Sequence, residues 1–299
     1  MNSVYVLPPK EDWIVDRFVK EWNEDNSDIT VTKPSDANVI WLLADWCWDQ
    51  LAYTGQLQNK KVIATVHHIV PEKFKGNDIQ NFLIRDGFVT AYHVYNQQTH
   101  DFIKRLTDKP IHLIQYWANQ KIWKKTLTKE SAREKHKLPS NAKLIGSFQR
   151  DTEGHDLISP KLEKGPDLLA DAIEKWHNIS PVHVVLAGWR RQYIINRLNA
   201  ADIPFTYFQR PSHETINELY QSLDLYAVTA RCEGGPQSLI ECGLLDVPVV
   251  SRDVGIASQV LPISAINDDV VKASPAIPNV YDWHLPKGYD EYRKLIQSL

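Results

Sequence analysis

Short apolar runs alternate with helix-period segments along most of this 299-residue chain. Residues 4–7 (VYVL) read as a first strand, and over residues 12–22 the apolar positions Ile14, Val15, Phe18, Val19 and Trp22 recur at helical spacing. Further short apolar runs at 39–43, 61–66, 91–95 and 111–114 predict strands, with a helix after the 91–95 run extending through Arg105. The stretch 123–142 is polar and charged, and reads as a linker plus a surface helix. A second alternating set follows. Its strands fall at 143–148, 182–187, 205–208, 224–228 and 247–250, and its helices at 166–176, 192–199 and 213–222. The tail 289–299 reads as helix. Alternation of this kind calls for parallel sheets with crossover helices. The expected fold class is α/β, with two Rossmann-like domains facing across a cleft.

Composition narrows the function classes. Two domains suit the length, since a domain usually runs to about 100–200 residues. A hydrophobic fraction of 43% and a charged fraction of 24% are ordinary for a globular chain. A net charge of −3 gives no electrostatic case for nucleic acid. No apolar run approaches the length of about 20 residues that spans a bilayer, and the first residues lack the basic and apolar regions of a signal peptide. Cys47, Cys232 and Cys242 have no metal-ligand spacing, and an odd, small number predicts reduced thiols in a cytoplasmic protein. The Lys-rich stretch 121–137 is the one candidate for peripheral contact with an anionic membrane. Ten Trp residues offer platforms for sugar rings or core filling.

The most informative segment is Glu233-Gly234-Gly235-Pro236-Gln237-Ser238-Leu239-Ile240-Glu241. A strand-like run precedes it and a short apolar helical pattern follows the glycine turn. Backbone N–H groups at such a helix start form an anion site, for which phosphate is the usual guest. Pro236 fits the first helical position, where its missing N–H costs little. Gly234 and Gly235 allow a ligand close to the backbone. The two carboxylates, eight positions apart (241 − 233), can reach different parts of one ligand. A phosphate site beside two hydroxyl-binding carboxylates suggests a sugar nucleotide.

With its flanks, this segment resembles the family 4 retaining glycosyltransferases, which have the GT-B fold and a Glu-x7-Glu signature. The resemblance runs through most of the second half, including LIGSFQR, EKGPDLLADAI and HVVLAGW, and more weakly through KVIATVHH in the first. It implies a nucleotide-sugar-dependent hexosyltransferase of carbohydrate biosynthesis, with a first domain (1–118) for the acceptor and a second (119–282) for the donor. It also implies a last helix (283–299) crossing back to the first domain. Carried over residue by residue, Glu233 holds donor-sugar hydroxyls and Glu241 the ribose, within a donor-binding segment that includes Gly234, Gly235, Pro236, Gln237 and Ser238. Arg150 and Lys164 neutralise the diphosphate, with Lys161 as a substitute for Lys164, and His67 sits by the transferred sugar. One departure is the loop after the first strand, LPPKEDW, which lacks the glycines of many members.

Four further groups rest on position alone. Arg190 or Arg191, after the strand HVVLAG, would touch phosphate or base, and Gln209 and Arg210 would border the base. Trp46 and Trp48 beside Asp45 are either an acceptor-sugar platform or rim packing. The loop 151–163, which holds His155, is a candidate lid. No dinucleotide fingerprint, Walker loop or Asp-x-Asp segment is present, so metal-independent chemistry with no cofactor beyond the donor fits better. The partners expected are a nucleotide-sugar donor and a carbohydrate or glycan acceptor. A sugar-nucleotide epimerase, or a non-catalytic sugar-nucleotide or glycan binder, would use the same fold and carboxylates.

Overall fold

A computed structural model describes residues 1–11, 14–154 and 156–299. Asp12 and Trp13, the first positions of the predicted first helix, and His155 lie outside the described residues. The chain divides into two compact units, 1–117 with 285–299, and 118–284.

The first unit contains β1 (Val4–Val6), α1 (Ile14–Asp25), β2 (Val39–Leu42), α2 (Asp49–Ala52), β3 (Lys61–Val66), α3 (Asn77–Asp86), β4 (Ala91–Val94), α4 (Gln97–Ile103) and β5 (Ile111–Leu113). The second contains α5 (Lys129–Lys135), β6 (Lys143–Ser147), α6 (Pro166–Ile179), β7 (Val182–Gly188), α7 (Gln192–Ala200), β8 (Phe205–Gln209), α8 (His213–Gln221), β9 (Leu225–Val228), α9 (Gln237–Leu245), β10 (Val249–Ser251) and α10 (Ala257–Val260). The chain then returns to the first unit with α11 (Asp290–Ser298). Strand ends differ from the apolar runs by a residue or two, because pairing rather than hydropathy ends a strand. Helix α3 was not legible: Leu83 and Ile84 are exposed on it, so its apolar pattern does not follow one face.

Both sheets are five-stranded and parallel. The first runs β1-β2-β3-β4-β5, without a reversal. The second runs β10-β9-β6-β7-β8, so the order reverses between β6 and β9. Crossovers leaving neighbouring strands in opposite directions open a crevice at their carboxyl ends, where α/β ligands bind. The core beneath is aliphatic, with Ile145, Leu169, Ile173, Val184, Leu186 and Leu225 all essentially inaccessible.

In the first unit, α11 lays Tyr292, Leu295 and Ile296 beside Trp41, Ile63 and His93 of one sheet face. Trp22 of α1 meets Trp41 and Tyr292 edge-on. A buried polar chain crosses this packing. The Trp41 indole N–H donates to Thr65 Oγ1 at 2.8 Å, Thr65 lies 2.9 Å from His93 Nδ1, and His93 Nε2 lies 3.0 Å from the Ile114 carbonyl. A carbonyl only accepts, so Nε2 carries the proton and Nδ1 accepts from Thr65. Burial holds His93 neutral, with its pKa pushed down to about 3. The unfolded chain therefore binds a proton at this position that the folded chain refuses. Stability is full above the ordinary histidine value of 6.5 and falls as the pH drops from there towards 3, by up to about 1.4 kcal/mol per pH unit. Urea unfolding at a series of pH values should show this slope, and His93→Gln should flatten it.

Candidate active site

Two helix starts and two strand ends converge at the reversal between β6 and β9. The turn 162–164 rides on the segment after β9, since the Glu163 carbonyl accepts from the Arg231 and Cys232 amides at 2.8 and 3.1 Å. Arg231 also clamps Asp167 with two bonds of 2.7 and 2.6 Å and reaches the Leu162 carbonyl. The fork suits a carboxylate, and it holds the Asp167 carboxyl below its usual range. Nothing in the sequence joined these two residues, which lie 64 positions apart.

Gly165 makes the close approach possible. It adopts φ +61, ahead of Pro166 at the start of α6, and its carbonyl accepts the Thr229 hydroxyl at 2.9 Å. A Cβ there would lie 2.0 Å from the Thr229 carbonyl oxygen. Gly165→Ala should therefore force α6 away from β9. A lowered melting temperature, by several degrees, together with weakened donor binding would show it.

This scaffold brings Lys164 to Glu233, 2.5 Å apart and both mostly buried. Gln149, just past β6, holds the Lys164 carbonyl through its side-chain amide at 2.8 Å. Arg150 donates from Nε to the Thr152 carbonyl at 2.8 Å. Its pKa is lowered by burial and then by the charge of Arg190. Lys161 belongs to the same cluster. It pairs with Glu163 at 3.5 Å, and its pKa is lowered by burial, with the charges of Lys164 and Arg150 adding to the effect. Arg150, Lys161 and Lys164 thus form one cationic group, which Lys164 joins to Glu233.

The first turn of α9 is set by packing beneath and beside it. Helix α9 begins at Gln237, and Pro236 is its N-cap residue with ψ 113. This corrects the expectation that Pro236 takes the first helical position. Proline serves equally well one place earlier, because φ −57 suits both positions and no N–H is required of it. The turn is backed by Gly255 at φ +59, where a Cβ would come within 2.9 Å of the Gly234 carbonyl and 3.0 Å of Gly235 Cα. Glu241, one turn on, is buried and accepts the Tyr220 hydroxyl at 2.8 Å. Burial, then the Glu241 charge, pushes the Tyr220 phenol well up. Tyr226 takes the Phe148 amide at 2.9 Å and also bonds Ser238. Ser238 and Glu241 are therefore each tied to a tyrosine of the aromatic floor formed by Phe148, Tyr220 and Tyr226.

The neighbouring strand ends separate two adjacent arginines. Arg191 is fully buried. It bonds Asp151 at 2.8 Å, the Ser147 and Ala187 carbonyls at 2.5 and 3.0 Å, and Ser147 Oγ at 3.1 Å. It ties the ends of β6 and β7 together and has no reach to a ligand, which removes it from the phosphate or base role. Arg190, at φ +57, donates to the Gly154 carbonyl and lies over the Trp189 ring at 5.0 Å. Arg210, at φ +47 just past β8, stacks on the same indole at 4.5 Å, and Arg150 does so at 5.7 Å. Trp189 is half-exposed, and Gln209 and Arg210 are exposed. The indole as an organiser of three guanidiniums was missed, because a single Trp in a loop carries no signal by itself.

His67 belongs to the first unit, as do Asp45, Trp46 and Trp48, whereas the candidate donor-site residues around Glu233 and Glu241 belong to the second. The His67 Nε2 donates to the Leu43 carbonyl at 2.8 Å, and its ring sits by Trp46 and Tyr95 at 5.8 and 5.3 Å. Burial lowers its pKa, so the ring is neutral with Nδ1 as the acceptor.

The chain from 129 to 262 matches the family model of glycosyl transferases group 1. That match covers less than half of the chain. Every candidate donor-site residue of the second unit lies inside that stretch. No curated relative matches the sequence. Among solved structures, the chain is similar to Anabaena HepE in complex with UDP and glucose, at 13% identity and a TM-score of 0.71 over 88% of this chain and 83% of that one. It is also similar to sucrose-phosphate synthase from Thermosynechococcus elongatus, at 16% identity and a TM-score of 0.61 over 87% and 66%. A third is a UDP-forming trehalose-phosphate synthase from Burkholderia xenovorans, at 14% identity and a TM-score of 0.59 over 86% and 68%. At these identities the likeness concerns the fold, which is GT-B. Among the described residues, no helix is long and apolar enough to cross a membrane.

Proposed function

We propose that this protein is a retaining glycosyltransferase that moves a sugar from a nucleoside diphosphate sugar to an acceptor hydroxyl without a metal ion. The observation that carries this reading is the cationic group Arg150, Lys161 and Lys164, joined to Glu233 through Lys164 at the reversal of a parallel sheet, within the stretch that matches the group 1 model. In the reaction, the acceptor oxygen forms a bond to the anomeric carbon as the bond to the diphosphate breaks. The acceptor proton passes to the leaving phosphate on the same face, which retains the configuration. Negative charge grows on the diphosphate, and fixed cations in a mostly buried site stabilise it without reorganising. Glu233, steered by Lys164, holds sugar hydroxyls. Glu241, steered by Tyr220, holds the ribose. Trp189 with Arg190 and Arg210 borders the base, and His67 Nδ1 accepts from a sugar hydroxyl.

Uridine is the first base to test, since HepE is seen with UDP, glucose and UDP-glucose. Purified protein incubated with UDP-, GDP-, ADP- and TDP-sugars in EDTA should show a rise in melting temperature and slow nucleotide release with one donor. No shift with any donor would sink the reading. Conversion of the donor sugar with no acceptor present would identify an epimerase, and binding without release would identify a binder.

A further inference from the structure

We propose that Trp46, Glu11 and His67 form a carbohydrate subsite in the first unit that selects a neutral or amino sugar over a phosphorylated or otherwise anionic one. It rests on the glycosyl-transfer reading, which supplies the need for an acceptor. Trp46 and Trp48 lie two residues apart in the turn after β2 and have opposite fates. Trp48 is buried against Phe88 at 5.9 Å, whereas Trp46 is 41% exposed. Packing accounts for the first and leaves the second unexplained.

Trp46 is nevertheless held in place. Its indole N–H donates to Glu11 Oε1 at 2.9 Å, and its ring lies 5.8 Å from the His67 ring, tilted by 53°. His67 is in turn fixed by the Leu43 carbonyl. The three residues follow β1, β2 and β3 at the carboxyl ends of adjacent parallel strands, where α/β sites form. A fixed, half-open indole is a platform for the apolar face of a pyranose. The Glu11 carboxylate keeps acceptor capacity beyond the indole bond, which suits sugar hydroxyls.

Charge decides the class of sugar. Glu11, Asp16, Asp45 and Asp49 all bear on the Cys47 thiol beneath, which burial first and then these carboxylates raise to about 11. Arg85 is committed to Asp45 at 2.8 Å, and Lys10 is the neighbouring cation on the loop. The balance is negative, so a phosphate brought to Trp46 meets like charge, whereas an ammonium does not.

Saturation-transfer NMR on the full chain tests this without turnover, using methyl α-glucoside, glucosamine and glucose 6-phosphate as probes. The first two should give signals and the third should be much weaker. Trp46→Ala should weaken the neutral probes about tenfold, the scale of one lost aromatic contact. Trp46→Phe should restore part of the loss and guards against misfolding. Glu11→Gln keeps an acceptor for the indole and should narrow the gap to glucose 6-phosphate. Unchanged binding in Trp46→Ala, preference for glucose 6-phosphate, or no sugar signal at all would overturn the proposal. A UDP thermal shift run in parallel keeps the two readings apart: its absence with sugar signals intact would sink the transfer reading and leave the subsite standing.

Discussion

Lys164→Ala is expected to lower the transfer rate by about 10²–10³-fold, the scale of removing one fixed group that meets developing charge. Two effects combine. On the proposed reading the diphosphate loses a cation at its leaving oxygen, and Glu233 loses its partner 2.5 Å away. Glu233→Ala should cut turnover on a similar scale, because the same pair is broken from the other side. Residues that act as a unit are non-additive, so the double variant should be little worse than either single one. Lys164→Arg keeps the charge but not the point geometry, and should recover only part of the rate. Steady-state kinetics with the donor found by the screen would decide the matter. Near-normal transfer by Glu233→Ala would remove the site from this location.

Arg191→Met is expected to be the most destabilising single change, at about 3–5 kcal/mol. It would strand the Asp151 carboxylate, which is wholly inaccessible and whose pKa burial already raises against the pull of Arg191. It would also leave the Ser147 and Ala187 carbonyls without the guanidinium that bridges β6 and β7. Such a loss is a large share of the 5–15 kcal/mol that holds an ordinary domain. Denaturant unfolding would measure it. Replacing both partners, as Arg191→Met with Asp151→Leu, should recover much of the loss, because no charge is then left buried alone. If Arg191→Met unfolds with the wild type, the pin between the strands is not structural.

The neighbouring residue shows how much of the site was legible. Arg190 and Arg191 are equivalent in sequence, and both were candidates for a ligand. Asp151, 40 positions away, draws Arg191 inside, while Arg190 turns at φ +57 towards Trp189 and the surface. Trp46 and Trp48 divide in the same way. In each case the partner that decides lies on a segment distant in sequence, and spacing along one chain does not report it.

What the sequence determined by itself was local. Apolar runs and helical periods set ten strands into two parallel sets with helices between them, because a half-buried element shows its period in its own residues. The strand, glycine turn and helix that present Glu233 and Glu241 were visible for the same reason. Only the tertiary structure decided the strand order that reverses between β6 and β9, and with it the meeting of Lys164 and Glu233 across 69 positions. It also decided that Gly165 must be glycine, since the Thr229 carbonyl occupies the place of its Cβ. Such contacts come from which strands pair, and pairing is chosen by the burial of whole sheets rather than by any stretch of residues within them.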